Sequence, residues 1–444
     1  MRPNLPPGPK PDPLLGNLNA FRRDPLGFYT ACAREYGEVA RFCIARVNVY
    51  LLSSPGLIEE VLVRQSASFI KGRVIRSNRA LLGNGLLTSE GDFWRRQRRL
   101  SQPAFHRERI AGYARVISGW TGRMMTGWQD GEVRDIQADM KRLTTGIIAK
   151  ILFDADVSGE ADEIGTALTV AREELTARMR LGLMIPERFP TPGNLRLRRA
   201  VERLDRIVLG IIRRRRESGS RGADLLSALL AAQDADGSWM TDAQLRDEVM
   251  TLFVAGHETT ALALTWALFL LAEHPEVIKR LRVEAGEVIG TRTPEFEDIP
   301  RLRYADRVVK EVLRLYPPSW TIPRQAVRDV EIGGYLVPAG TSVTISQWVM
   351  HRHPGFFEDP LEFKPERWEG DLEKALPPFV YFPFGGGQRQ CIGQSLAMTE
   401  LVLALAMFAR EFDFELLSDP PVEPWPSVTI YPRNGIRIRI RRRA

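Results

Sequence analysis

Phe384-Gly-Gly-Gly-Gln-Arg-Gln-Cys391-Ile-Gly393 runs straight into a strongly apolar helical pattern from Gln394 to Arg410. A cysteine at a helix start has its thiolate favoured by the helix dipole and by unpaired backbone N–H groups. Glycines ahead of it let the backbone approach a flat ligand and direct N–H groups toward sulfur. One anionic sulfur in such a turn suits an iron. Arg389, two residues earlier, carries a rigid guanidinium fork matched to a carboxylate. A small buried cysteine behind a glycine turn is the bland account of the same residues, and for an isolated cysteine it is the commoner one.

The pattern F-x-x-G-x-R-x-C-x-G changes that balance. Its five fixed residues should meet by chance in about one in 10,000 chains of this length. The string resembles the haem-binding signature of the cytochrome P450 family, the haem-thiolate monooxygenases. The resemblance implies a mainly α fold with small β-sheets (α+β), with a long central helix over the haem and the Cys-ligand loop beneath it. It implies haem b, iron protoporphyrin IX, with Cys391 as metal ligand. Phe384, Arg389 and Gly393 are then cofactor-binding residues, with Arg389 placed to meet a porphyrin propionate.

Further motifs follow in the family's order. Glu311-Val-Leu-Arg314 resembles its E-x-x-R helix, where a spacing of three puts both side chains on one face. Arg367 of Pro365-Glu366-Arg367-Trp368 is expected to join them, in a structural role supporting the haem loop. Ala255-Gly-His-Glu-Thr-Thr260 resembles the oxygen-activation segment. Thr259 can bond the carbonyl four residues back, and Gly256 removes bulk where a widened helix could admit dioxygen. The resemblance makes Thr259 and Glu258 catalytic, the first steadying iron-bound oxygen and the second relaying protons. It makes Ala255 a residue of both the cofactor and the substrate sites. Trp94 and Arg98 lie four apart on one helical face and match the family's W-x-x-x-R. Arg324, ten residues beyond Arg314, matches a further propionate-binding arginine.

Substrate contacts implied by the resemblance are Leu86, Leu87, the Met179 to Pro192 region, Ala255, Ser319 and Trp320. Most are apolar, and the local strings resemble those of bacterial fatty-acid and carotenoid hydroxylases, a resemblance that implies a hydrophobic fatty acid, terpenoid or carotenoid-like molecule, hydroxylated or epoxidised with O2. Gly83-Asn84-Gly85 lacks the third glycine of a dinucleotide fingerprint, where Thr88 stands. Electrons are therefore expected from a separate ferredoxin- or flavodoxin-type donor with its reductase. A peroxide-driven or isomerising relative is a second reading, opposed by Glu258-Thr259, and a non-enzymatic haem-binding protein is a third.

The rest of the chain accords with a globular enzyme. It has 444 residues, 44% hydrophobic and 26% charged, which excludes disorder and collagen. Three cysteines without C-x-x-C spacing support neither a disulfide framework nor a cysteine zinc site. His351 and His353 lack the partners that would make zinc persuasive. The net charge is +7, with 54 Arg against 8 Lys. Arginine runs at 95–99, 213–216 and 441–443 could read as a nucleic-acid surface, but no recognition motif accompanies them and no nucleic acid is expected. A basic surface instead favours an acidic electron donor.

The N-terminus lacks a signal or transit pattern. The longest strongly apolar stretch, Ala261 to Ala272, is short of the roughly 20 residues a span needs, so no membrane span and a cytoplasmic location are expected. A single catalytic domain over 1–444 is expected, with a Pro-rich lead-in at 1–20. Periodicity predicts a helix over Pro25 to Tyr36, a hairpin over Glu38 to Leu52, and helices through the middle from about Glu90 to Leu281. It predicts a central helix from Asp242 to Glu273, hairpins within Val330 to Ile345, and a strand at Ile436 to Ile440.

Overall fold

Thr241 opens the longest helix. Its hydroxyl accepts from Gln244 N–H, and the Gln244 side chain accepts from Thr241 N–H. This reciprocal cap satisfies two of the donors that a helix start leaves unpaired. The helix then runs for 32 residues, Asp242–Glu273, with the bounds its periodicity predicts. By length and composition it is apolar enough to cross a membrane, yet 67% of its apolar window is buried within the fold. It is a core helix.

The computed structural model describes residues 4–154, 165, 167, 170, 171, 174, 189–219, 222–417 and 419–443. The chain forms two compact units. The first takes Met1–Arg73, Lys310–Cys391 and Pro424–Tyr431; the second takes Val74–Val309, Ile392–Glu423 and Pro432–Ala444. Each is assembled from separated segments, so no linker or shift of composition marks them.

The first unit is built on a five-stranded sheet in the order Val39–Ile44, Val47–Leu52, Ser342–Ser346, Thr321–Ala326, Phe69–Lys71. Val47–Leu52 and Ser342–Ser346 are parallel, and every other neighbouring pair is antiparallel. A separate hairpin joins Val330–Ile332 to Tyr335–Val337. Its turn residues Gly333 and Gly334 have φ of +59° and +77°, the left-handed pair that a two-residue hairpin turn requires. Tyr50, Leu52, Ile58, Leu62, Val343, Ile345, Met350 and Phe382 belong to one buried cluster.

The second unit is helical. Asp242–Glu273 packs along Ile136–Phe153, and Gln394–Glu411 packs on Arg107–Thr126 and Pro275–Val288. A three-stranded sheet places Arg437–Arg442 between Val133–Asp135 and Phe412–Leu416. Its period-two pattern buries Ile438 and Ile440. The arginine runs find acidic partners in this unit. Arg95 pairs with Asp92, Arg96 and Arg99 with Asp234, Arg216 with Asp242, and Arg441 with Glu415. Arg215 pairs with Asp224 and also donates to the Phe153 carbonyl.

Candidate functional site

In the first unit the Cys391 turn is shaped by its glycines. Gly385 and Gly387 have φ of +71° and +66°, values that cost little only without a Cβ. A Cβ on Gly387 would also overlap the Leu62 carbonyl oxygen, and one on Gly386 would overlap the Phe379 ring. The turn closes through Gly385 N–H to the Phe382 carbonyl at 2.9 Å and Cys391 N–H to the Phe384 carbonyl at 3.0 Å. Phe384, Arg389 and Gly393 are half-buried, while the Cys391 thiol is exposed and not in a disulfide. Gly393 then caps the helix Gln394–Glu411.

Glu311 and Arg314, both fully buried, form a two-pronged pair. Arg314 Nε donates to Glu311 Oε2 and Nη2 to Oε1, each at 2.9 Å. Arg367 Nε adds a bond to Oε1 at 2.8 Å, as the family resemblance implies. Two more donors reach this carboxylate, Trp368 Nε1 at 2.9 Å and Lys364 N–H at 3.0 Å. Arg314 spends its remaining reach on the carbonyls of His351, Pro360 and Glu362. A buried charge pair needs this degree of hydrogen bonding to offset its desolvation. The pair thus ties a helix to the loop at 351–368, which is structural work.

In the second unit, the long helix is buried almost throughout from Leu245 to Leu271. Six consecutive residues break the pattern: Ala255 is exposed, and Val254, Gly256, His257, Glu258 and Thr259 are half-buried. Thr259 Oγ1 donates to the Ala255 carbonyl at 2.7 Å. The expected i to i−4 bond is present, and the residues expected to do oxygen chemistry sit where this helix is accessible. Gly256 serves packing here, since a Cβ would come within 2.9 Å of Ile148 Cδ1. The His257 carbonyl accepts from the Thr144 hydroxyl at 2.9 Å, and its ring packs on Phe253.

Trp94 is buried and Arg98 half-buried on the helix Gly91–Ser101, with Arg98 Nε donating to Gln102 at 3.1 Å. Arg324 lies in the strand Thr321–Ala326 and donates to the Pro323 carbonyl at 3.1 Å. Ser319 is exposed. Trp320 is core packing: its indole N–H donates to the Ser427 carbonyl at 2.9 Å and its ring lies 5.4 Å from Tyr29. Leu86 is buried and Leu87 is partly exposed. Of the Met179 to Pro192 stretch, residues 179–188 lie outside the described residues.

Sequence reasoning missed what holds the Leu86 loop. Asn84 N–H donates to Asp247 Oδ2 at 2.7 Å, and Leu86 N–H to Glu248 Oε2 at 3.0 Å. Arg246 bridges Asp247 and Asp205, the latter on the helix Pro192–Ser218. Both carboxylates stand on the long helix, so their presence was visible but their loop partners, some 160 residues away, were not.

Residues 6–437 match the family model described as cytochrome P450. The chain is 40% identical to cyclooctat-9-en-7-ol 5-monooxygenase of Streptomyces melanosporofaciens, over 90% of this chain and 87% of that protein. It is 33% identical to pentalenene oxygenase of Streptomyces avermitilis, over 96% and 95% of the two chains. The solved structure of retinoic acid bound cyanobacterial CYP120A1 superposes with a TM-score of 0.89 at 24% identity, covering 100% of both chains.

Proposed function

Since this chain belongs to the cytochrome P450 family and is a monooxygenase, we propose that it hydroxylates or epoxidises a hydrophobic cyclic terpenoid with electrons from a separate ferredoxin- or flavodoxin-type protein. The exposed Cys391 thiol, presented by a turn in which Gly386 and Gly387 leave no room for a Cβ, carries this reading. Those residues fit a haem. Cys391 Sγ would hold its iron as the thiolate, and Arg389, Arg98, Arg324 and Trp94 would hold its propionates. When bound, haem supplies one-electron and dioxygen chemistry, and a thiolate ligand favours O–O cleavage.

In the overall reaction one oxygen atom of O2 enters the substrate and the other leaves as water, with two electrons from the donor and two protons from solvent. The protein's part is to manage those protons. Thr259 spends its hydroxyl proton on the Ala255 carbonyl, so the lone pairs of Oγ1 are available to accept a hydrogen bond. Glu258, next along and half-buried, can take a proton from solvent at its carboxylate and pass it inward. The apolar Leu86 and Leu87 suit a hydrocarbon skeleton, and the two relatives named for cyclooctat-9-en-7-ol and pentalenene favour a terpenoid. A net charge of +7 supports an acidic electron donor.

The test is spectroscopic and chemical. Reduced with dithionite under carbon monoxide, the protein should show the long-wavelength Soret band of thiolate-ligated haem, and Cys391→Ala should lose it. Cyclic terpenoids should then shift the spin state and yield products one oxygen atom heavier, dependent on a reductase chain. Turnover that prefers peroxide and survives Thr259→Ala would overturn the assignment of the proton path. Haem binding without any substrate-dependent oxygen consumption would overturn the enzymatic reading.

A further inference from the structure

We propose that His351 is a positioning residue for the cofactor loop, joining the buried Glu311–Arg314 pair to the segment that leads into Cys391. The proposal rests on the reading of Cys391 as a haem ligand. His351 is fully buried and follows the short helix Gln347–Met350. Its carbonyl accepts from Arg314 Nη1 at 2.9 Å. Its ring does different work, since Nε2 accepts the Phe382 backbone N–H at 2.9 Å. Phe382 is the residue whose carbonyl accepts from Gly385, two steps before the Phe384 carbonyl that holds Cys391 N–H. The ring is fixed by Tyr381, with centroids 5.1 Å apart, and by the edge of Phe382 at 5.4 Å.

A chain of contacts thus runs from the buried carboxylate through Arg314, His351 and Phe382 to the glycine turn. Each link is short and inside one unit. Because the Phe382 N–H donates, Nε2 must carry no proton, and the neutral ring bears its proton on Nδ1. That nitrogen is buried and without a well-formed hydrogen bond. Burial first, and then the charges of Arg314 and Arg352, hold the ring neutral well below its ordinary titration range, against the pull of the Leu313 and Arg314 carbonyls. Glu311 and Tyr316 face Arg352 from the same helix and its end. A second proton would break the bond to Phe382 and add a cation beside two guanidinia.

Two variants and a pH series test this. His351→Leu removes the acceptor, while His351→Gln keeps an oxygen near the Nε2 position. With carbon monoxide on the reduced holoprotein, His351→Leu should lose at least about half of the long-wavelength band to the shorter-wavelength one, and His351→Gln should restore most of it. Hydrogen exchange at the Phe382 amide should quicken about tenfold in His351→Leu. Should His351→Leu fail to accumulate, acidification decides: wild type should convert to the shorter-wavelength band at a higher pH than His351→Gln, which has no ring to protonate. A wild-type band with His351→Leu unchanged, or equal acid midpoints in wild type and His351→Gln, would overturn the proposal alone. A wild type lacking the thiolate band would overturn the functional reading and this proposal together.

Discussion

Replacing Glu311 by alanine should be among the costliest single changes in this protein, and the structure says how costly. The carboxylate accepts five bonds: two from Arg314, and one each from Arg367, Trp368 and the Lys364 amide. Breaking a buried pair by removing one partner costs about 3–5 kcal/mol, because the other charge is left buried. Orphaned indole and amide donors cost about 1–3 kcal/mol each. Arg314 keeps three carbonyl acceptors, which moderates the charge term. The expected loss is about 4 kcal/mol, a large part of the roughly 5–15 kcal/mol a domain has. Urea unfolding followed by far-ultraviolet dichroism and tryptophan fluorescence gives the value. The paired change Glu311→Met with Arg314→Met should cost less than the sum of the single changes, since no lone charge remains. A Glu311→Ala loss below about 1 kcal/mol, or strict additivity in the double variant, would refute the argument that this network is a charge-balanced anchor.

Three further changes test other parts of the molecule. Gly387→Ala forces a Cβ into a left-handed φ and onto the Leu62 carbonyl; it should cost at least about 1–2 kcal/mol and reduce the thiolate-type carbon monoxide band more than it lowers helix content. Glu248→Met should strip the Leu86 amide of its buried acceptor, costing about 1–3 kcal/mol, while Glu248→Gln should largely preserve stability; amide exchange at Leu86 separates the two. Glu400 is fully buried, one oxygen lacks a partner, and burial pushes its carboxyl up to about 8. Its folded pKa is raised, so the folded state holds a proton that the unfolded chain has released. Stability contributed below the ordinary carboxyl range is lost as pH rises toward about 8, by at most about 1.4 kcal/mol per pH unit. Glu400→Gln should flatten the pH dependence of unfolding over that window; an unchanged slope would contradict it.

How much of this was legible in the sequence depended on whether the signal was local. The Asp242–Glu273 helix could be read to its ends, because its apolar run and its terminal residues all lie within one stretch. The alternating tail reached a buried position in the middle of its small sheet for the same reason. The Cys391 turn was legible because Phe384, Gly387, Arg389, Cys391 and Gly393 all fall within one ten-residue stretch. Glu311 and Arg314 formed an ordinary i,i+3 pair on paper; what makes them an anchor is zero exposure and three further donors from 364–368, which only folding brings together.

The surroundings that the sequence did not report share that cause. Trp320 stands beside an exposed serine in sequence, yet it is buried and its indole is satisfied by a carbonyl 107 residues away. Gly256 was read as removing bulk beside the oxygen-activation segment, and the structure adds that Ile148 packs where its Cβ would stand. His351 was weighed only as a zinc ligand, because a histidine's local sequence reports metal spacing and nothing about a backbone amide 31 residues on. The residues proposed to perform chemistry were therefore readable as motifs, whereas those that hold the motifs in register are read from distances. For this reason His351, Asp247 and Glu248 are the positions where mutation should alter function without touching any motif residue.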